Sequence, residues 1–205
     1  MTNTTPRAGF AILAATACLF LAACAGNGAD PGGIMDVPAP AIGAEVIGQG
    51  TVIQKDDGPV EICLGPITMI YPPSCGGPEV AAWDWDSVDG ATTEGGTTWG
   101  TYAVQGTWDG ERLTVTEPPI MLALYDPITV EDPYTDPANA GTTPEAELAR
   151  VVQELATRDG VLATYLDNGY VFVEVVHDDG ALQEELDELY GADVTVVRSQ
   201  LRPVD

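Results

Sequence analysis

Asp84, Asp86 and Asp89 fall within one short segment, Trp83-Asp84-Trp85-Asp86-Ser87-Val88-Asp89-Gly90. Hard divalent cations take six to eight oxygen ligands, and closely spaced aspartates beside a glycine turn can supply several of them. The spacing departs from the EF-hand loop and lacks its bidentate Glu, so calcium is the alternative here and an acidic loop the first reading. Trp83 and Trp85 flank Asp84 at alternate positions, where two aromatic faces could stack on a glycan or a peptide. His177 is the only histidine and precedes Asp178 and Asp179, which suit either support of an imidazolium or the start of a helix. No nucleophile elbow, phosphate loop or dinucleotide fingerprint accompanies it. One histidine without an unpaired thiol cluster makes no zinc site. Asp126, Glu131, Asp132 and Asp136 form a second acidic group, but the prolines between them suggest a solvated linker. The expectation is a protein without catalytic activity, with an envelope hydrolase the least supported reading.

The four cysteines separate by context. Residues 8–23 are apolar or small apart from one threonine, too short a run for a spanning helix and the length of a signal-peptide core. It ends in Leu21-Ala22-Ala23-Cys24, a lipobox: small side chains before the cut and a thiol that is acylated before the peptide is cleaved on its amino side. Two acyl chains on Cys24 suffice for stable anchoring. Ala25 follows rather than Asp, so nothing signals retention in an inner membrane. Cys18 departs with residues 1–23, which leaves Cys63 and Cys75 to form a disulfide outside the cytosol. Closing that short loop contributes roughly 2–4 kcal/mol.

All 32 acids follow Cys24, and six basic residues remain beside them, a net charge of −26. Such a surface repels nucleic acid and anionic headgroups and attracts divalent cations or basic partners.

The elements that must hold these residues follow from periodicity. Residues 24–44 are rich in Gly, Ala and Pro and read as a lipidated, flexible tether. From 45 to 118 the pattern is β: a strand over 46–54, a turn at Asp56-Asp57-Gly58-Pro59, a second strand from Val60, and an irregular Pro72–Pro78 stretch pinned by the disulfide. Asp109-Gly110 predicts a two-residue hairpin turn that pairs Trp108 with Glu111, Gly106 with Leu113 and Val104 with Val115. Tyr102, Val104, Leu113 and Val115 then share one face. Residues 119–142 hold many acids and prolines and read as a linker, with Ile120–Tyr125 a strand belonging to either neighbour. From 143 to 205 the order is α-β-β-α-β. Thr143-Pro144 starts a helix with Leu148, Val151, Val152 and Leu155 as its stripe. Asn168-Gly169 turns a hairpin that pairs Leu162 with Val175, Thr164 with Val173 and Leu166 with Val171. Asp179 caps a second helix with Leu182, Leu186, Leu189 and Tyr190 inward, and Val194–Leu201 is the last strand. The expected class is α+β: a small antiparallel β unit, with a strand order that suits an OB-type barrel, followed by an αββαβ sandwich, a ferredoxin-like half that residues 120–125 would complete.

Cys63-Leu64-Gly65, Pro72-Pro73-Ser74-Cys75-Gly76-Gly77-Pro78, Trp83-Asp84-Trp85, Gly106-Thr107-Trp108-Asp109-Gly110 and Thr114-Val115-Thr116-Glu117-Pro118-Pro119 together resemble uncharacterised secreted lipoproteins of high-GC Gram-positive bacteria. The segments Asp178–Gln183 and Leu201–Val204 are similar to the closing part of such proteins. The resemblance covers about half of the mature chain. It implies a two-part lipoprotein on the outer face of the plasma membrane and brings no activity with it. The function expected is a binding or structural module of the cell envelope, meeting a protein, peptide or cell-wall ligand around Trp83, Trp85 and the cross-linked loop. A calcium-responsive envelope protein is the alternative.

Overall fold

Alternating apolar and polar residues commit the first half of the chain to strands. β1 (Glu45–Lys55), β2 (Val60–Cys63), β3 (Glu79–Ala81), β4 (Thr92–Glu94), β5 (Thr97–Trp108), β6 (Arg112–Val115) and β7 (Ile120–Met121) follow one another. The second half is α1 (Glu145–Leu155), β8 (Val161–Asp167), β9 (Tyr170–Val175), α2 (Ala181–Tyr190), β10 (Thr195–Ser199) and β11 (Arg202–Pro203). This computed structural model describes residues 1, 41–68, 70–126 and 131–204. Residues 1–23 as a signal peptide, Cys24, and the tether as far as residue 40 therefore lie outside the described residues, residue 1 excepted.

β1, β2, β3, β6 and β5 pair in that order, and β5 returns to β1, so five strands close a barrel. β1 and β5 pair antiparallel from Glu45 opposite Thr107 to Lys55 opposite Thr97, and β3 and β6 run parallel. Closure removes the free edges that an open sheet would expose. Val46, Val52, Ile62, Val80, Tyr102, Val104, Trp108 and Leu113 fill the interior. β4, β7 and β6 share the second edge of the long β5, each using a different stretch of it.

The β5–β6 hairpin keeps the expected faces but not the expected register. Gly106 lies opposite Val115 and Trp108 opposite Leu113, two residues away from the pairing expected for a tight Asp-Gly turn. The Asp109 carboxylate accepts the backbone N–H groups of Glu111 (2.9 Å) and Arg112 (2.7 Å), and this widens the loop. A two-residue slip preserves side-chain parity, so Tyr102, Val104 and Leu113 remain inside. The same two hydrogen bonds are the main cause of a lowered Asp109 pKa. The sign follows: the folded state favours the carboxylate, so its contribution is complete above the unfolded value and disappears as pH falls through the lower folded value. The stability gap between wild type and Asp109→Ala is expected to be constant at neutral pH and to close in acid, below the ordinary Asp value of about 3.9; urea melts across that range measure it.

Residues 120–121 pair with β5, Tyr102 opposite Met121, and residues 122–124 form a 3-10 turn. They do not extend the second sheet, which has three strands in the order β10-β9-β8. β9 and β10 are adjacent and parallel; a split βαβ unit would place another strand between them. At the β8–β9 turn, Asn168 and Gly169 take left-handed φ values of 45° and 84°. Thr164 faces Val173 and Leu166 faces Val171 as expected, but a bulge between Val161 and Ala163 brings Val161 opposite Val175. The bulge turns Leu162 against the barrel core, while Val161 packs with the helices.

α1 buries Leu148, Val151 and Leu155 and has Pro144 rather than Thr143 at its cap position. α2 buries Leu186, whereas Leu189 is exposed, so the expected stripe is narrower. Its cap is supplied chiefly by Asp178: the buried carboxylate accepts the N–H groups of Leu182 (2.9 Å) and Gln183 (3.3 Å). Asp179 accepts only the Ala181 N–H. Asp178→Ala is expected to cost about 1–2 kcal/mol by leaving helix donors without an acceptor, while Asp179→Ala costs less; denaturant melts of the two variants compare them.

The chain does not end in one long strand. After β10, Leu201 enters the barrel core with no exposed surface, and β11 pairs with β1 at Val46–Pro203 and Ile47–Arg202. Barrel and helical layer belong to one compact unit. The supposed linker is also fixed in place from residue 131 on. Asn168 donates to the carbonyls of Tyr134 (2.8 Å) and Asp136 (2.7 Å), and Tyr170 donates to that of Asn139 (2.7 Å).

Candidate functional site

Trp83 and Trp85 are positioned by a short 3-10 turn, Trp85–Ser87, whose first N–H groups need an acceptor. Asp84 supplies it: its carboxylate accepts from Asp86 N (3.0 Å), and its carbonyl accepts the Ser87 hydroxyl (2.7 Å). The turn directs both indoles onto the barrel core, where they pack half-buried with Val88. Their rings stand edge-to-face at 5.2 Å, and Trp83 makes the same contact with Tyr102. Trp85 Nε1 donates to Gln54 Oε1 (2.7 Å), and the Tyr102 hydroxyl donates to the Asp89 carbonyl (2.9 Å). Burial first, and the Asp89 charge second, push the Tyr102 phenol pKa up. Among the described residues, the buried Trp83 Nε1 has no hydrogen-bond partner. The pair is thus part of the barrel's packing, with one edge outward.

Asp84, Asp86 and Asp89 are exposed. Asp84 acts as the cap, and Asp89 contributes its backbone oxygen to Tyr102. Among the described residues, no group of three His, Cys, Asp or Glu side chains is arranged to hold a metal ion.

His177 is half-buried, its ring 6.3 Å from that of Trp108, and among the described residues its buried Nε2 has no partner. Asp178 does not serve it, because that carboxylate is committed to α2. Two of the four members of the second acidic group, Asp132 and Asp136, are structural as well. Asp132 and Asp136 cap successive 3-10 turns, and Asp132 takes a two-pronged pair from Arg198 at 2.8 and 3.0 Å. Arg198 also lies over the rings of Tyr134 (5.1 Å) and Phe172 (5.6 Å), a cation–π arrangement. These contacts hold the 131–139 segment over the sheet face that the helices leave open. Solvation of charged side chains was therefore not their whole role. One shallow cleft is lined by Glu131, Asp132, Thr135 and Asp136, another by Ile47, Gln105, Glu117 and Ile120; Trp83 and Trp85 line neither.

The disulfide joins Cys63 to Cys75 with Cα atoms 5.8 Å apart. Cys63 alternates with the inward Ile62, so the bridge lies outside the barrel and ties Cys75 back to β2. Gly77 makes this approach possible: a Cβ there would lie 1.9 Å from the Ile62 carbonyl oxygen. Thr68 and Ser74 close the loop by three hydrogen bonds, Thr68 N to Ser74 O (3.1 Å), Thr68 Oγ1 to Ser74 O (2.8 Å) and Ser74 N to Thr68 Oγ1 (3.2 Å). At the loop's crest Tyr71 meets Trp99 edge-on at 5.3 Å. A hydrogen bond to Glu94, then partial desolvation, then the Glu94 charge raise the Tyr71 pKa. Ile67, Ile70 and Tyr71 all face solvent. Reading from sequence did not single out these side chains. The available signal was a run from Cys63 to Pro78 with no charged residue, in a chain with 32 acids.

Comparison with protein-family models, with curated proteins and with solved structures gives no match to this chain.

Proposed function

We propose that this chain is an exported lipoprotein, acylated on Cys24 and held on the outer face of a bacterial plasma membrane. Its folded part is a binding or structural module of the envelope without catalytic activity. The observation that carries this reading is the Cys63–Cys75 disulfide, because such bonds persist where the surroundings are oxidising. Leu21-Ala22-Ala23-Cys24 and the resemblance to secreted lipoproteins support the same location. The barrel's strand order suits an OB-type topology, a scaffold used for many kinds of binding. Its net charge disfavours nucleic acid as the ligand. The helical part runs α1-β8-β9-α2-β10 with its last two strands side by side, a succession that we read as a ferredoxin-like half.

Mass spectrometry of the amino terminus of membrane-extracted protein tests the reading. The expected product starts at Cys24 and carries acyl chains on that residue. An unmodified thiol, or a start elsewhere, would overturn it.

A further inference from the structure

The largest contrast on this molecule is between its charge and the 66–74 loop. Ile67, Ile70 and Tyr71 are 41, 64 and 67% exposed, and no charged residue interrupts Cys63 to Pro78. Burying these side chains would remove apolar surface from water and favour association. The disulfide and the Thr68–Ser74 bonds close the ends of this stretch, and Trp99 supports Tyr71. Presenting side chains in advance lowers the ordering cost of association.

Acids lie on the strands beside it. Glu94 lies opposite Thr97, two residues before Trp99, Glu61 lies opposite Ile53, itself opposite Trp99, and Glu79, which pairs with Arg112 at 3.6 Å, lies opposite Glu61. Asp56 and Asp57 follow in the adjacent turn, against which Lys55 and Arg112 are the bases on these strands. An apolar centre with an acidic rim is complementary to an apolar segment with a basic rim.

We propose that the exposed side chains of Ile67, Ile70 and Tyr71, the last resting on Trp99, are the docking surface for a polypeptide segment of another envelope protein, one whose apolar side chains are flanked by lysines or arginines. A second copy of this chain is a poor occupant, since both would carry a charge of −25. The bilayer is disfavoured by the same charge, which repels anionic headgroups. The partner's location rests on the extracytoplasmic reading above; the surface itself does not.

The test uses the full chain and a phage-displayed random peptide library. Selection is expected to recover peptides that combine Lys or Arg with large apolar residues. Their binding is expected to weaken about tenfold with Ile70→Ser, a loss typical of an interface hot spot, and also at high salt. Leu189→Ser, exposed on α2, leaves it unchanged. Recovery of no peptide, of peptides without basic residues, or of peptides indifferent to Ile70→Ser overturns the proposal. Displacement by a peptide copying residues 25–41 would make the chain's own leader the occupant and also overturn it. Ile70-dependent dimerisation, or Ile70-dependent quenching of tryptophan by brominated phosphatidylcholine, would assign the crest to a second copy or to lipid and overturn it likewise. Cys24 acylation is read separately by mass spectrometry, so failure here with an acylated terminus counts against the crest alone.

Discussion

Leu201→Ala is expected to destabilise the whole folded unit by about 2–5 kcal/mol, the range for deleting a buried leucine side chain. Leu201 has no exposed surface and belongs to the barrel core, although it follows the second helix and β10 in sequence. The void would open beside Gly48, where an added Cβ would already meet Leu201 Cδ2 at 2.7 Å. Gly48 has no side chain to fill that space. Because β11 then pairs with β1 directly after Leu201, loosening this residue weakens the attachment of the last segment to the barrel. Thermal unfolding should show one transition, shifted downward as a whole. A melt with an unchanged midpoint, or one that splits so that only residues 143–199 are affected, would contradict this account.

Replacing both bridge cysteines, Cys63→Ser with Cys75→Ser, is expected to cost about 2–4 kcal/mol. The residues are 12 apart in sequence, so the cross-link restricts a short loop of the unfolded chain. For a folded unit of this size the loss corresponds to a fall in melting temperature of roughly 5–12 °C. Treating wild type with a reductant should reproduce the shift, and the paired serine variant should then be insensitive to reductant. The loop bears the local consequence. Without the bridge, Tyr71 and the Thr68–Ser74 bonds alone hold residues 66–74, and limited proteolysis should cut there first. Equal melting and equal cleavage with and without the bridge would show that it adds nothing to those contacts.

Much of the local structure could be read from residue order. Asn168-Gly169 marked its hairpin because both residues tolerate positive φ, and the Thr164–Val173 and Leu166–Val171 pairs follow from that turn. Asp109-Gly110 marked a hairpin too, yet the register moved by two. Local propensity did not anticipate that the Asp109 carboxylate would take two backbone donors. Asp178 and Asp179 illustrate a related limit. Both precede α2, and only the packed structure shows which carboxylate is buried against the helix end. Trp83 and Trp85 are neighbours in one segment, and the turn made by Asp84 places both against Tyr102. The exposed crest of Ile67, Ile70 and Tyr71 was missed because hydrophobicity alone does not tell an outward isoleucine from an inward one.

Residue order was enough to establish which side chains share a face and where the chain turns. Those properties depend on neighbours a few positions away, through the two-residue period of a strand and the 3.6-residue period of a helix. It did not establish that β5 would close on β1, that β3 would run parallel to β6, that residues 120–121 would join the barrel, or that β11 would return to it. Each of these is a choice among distant strand edges with similar hydrogen-bonding capacity. That choice is made by the shape of the assembled core, when Leu201, Leu162 and the disulfide loop find the space left for them.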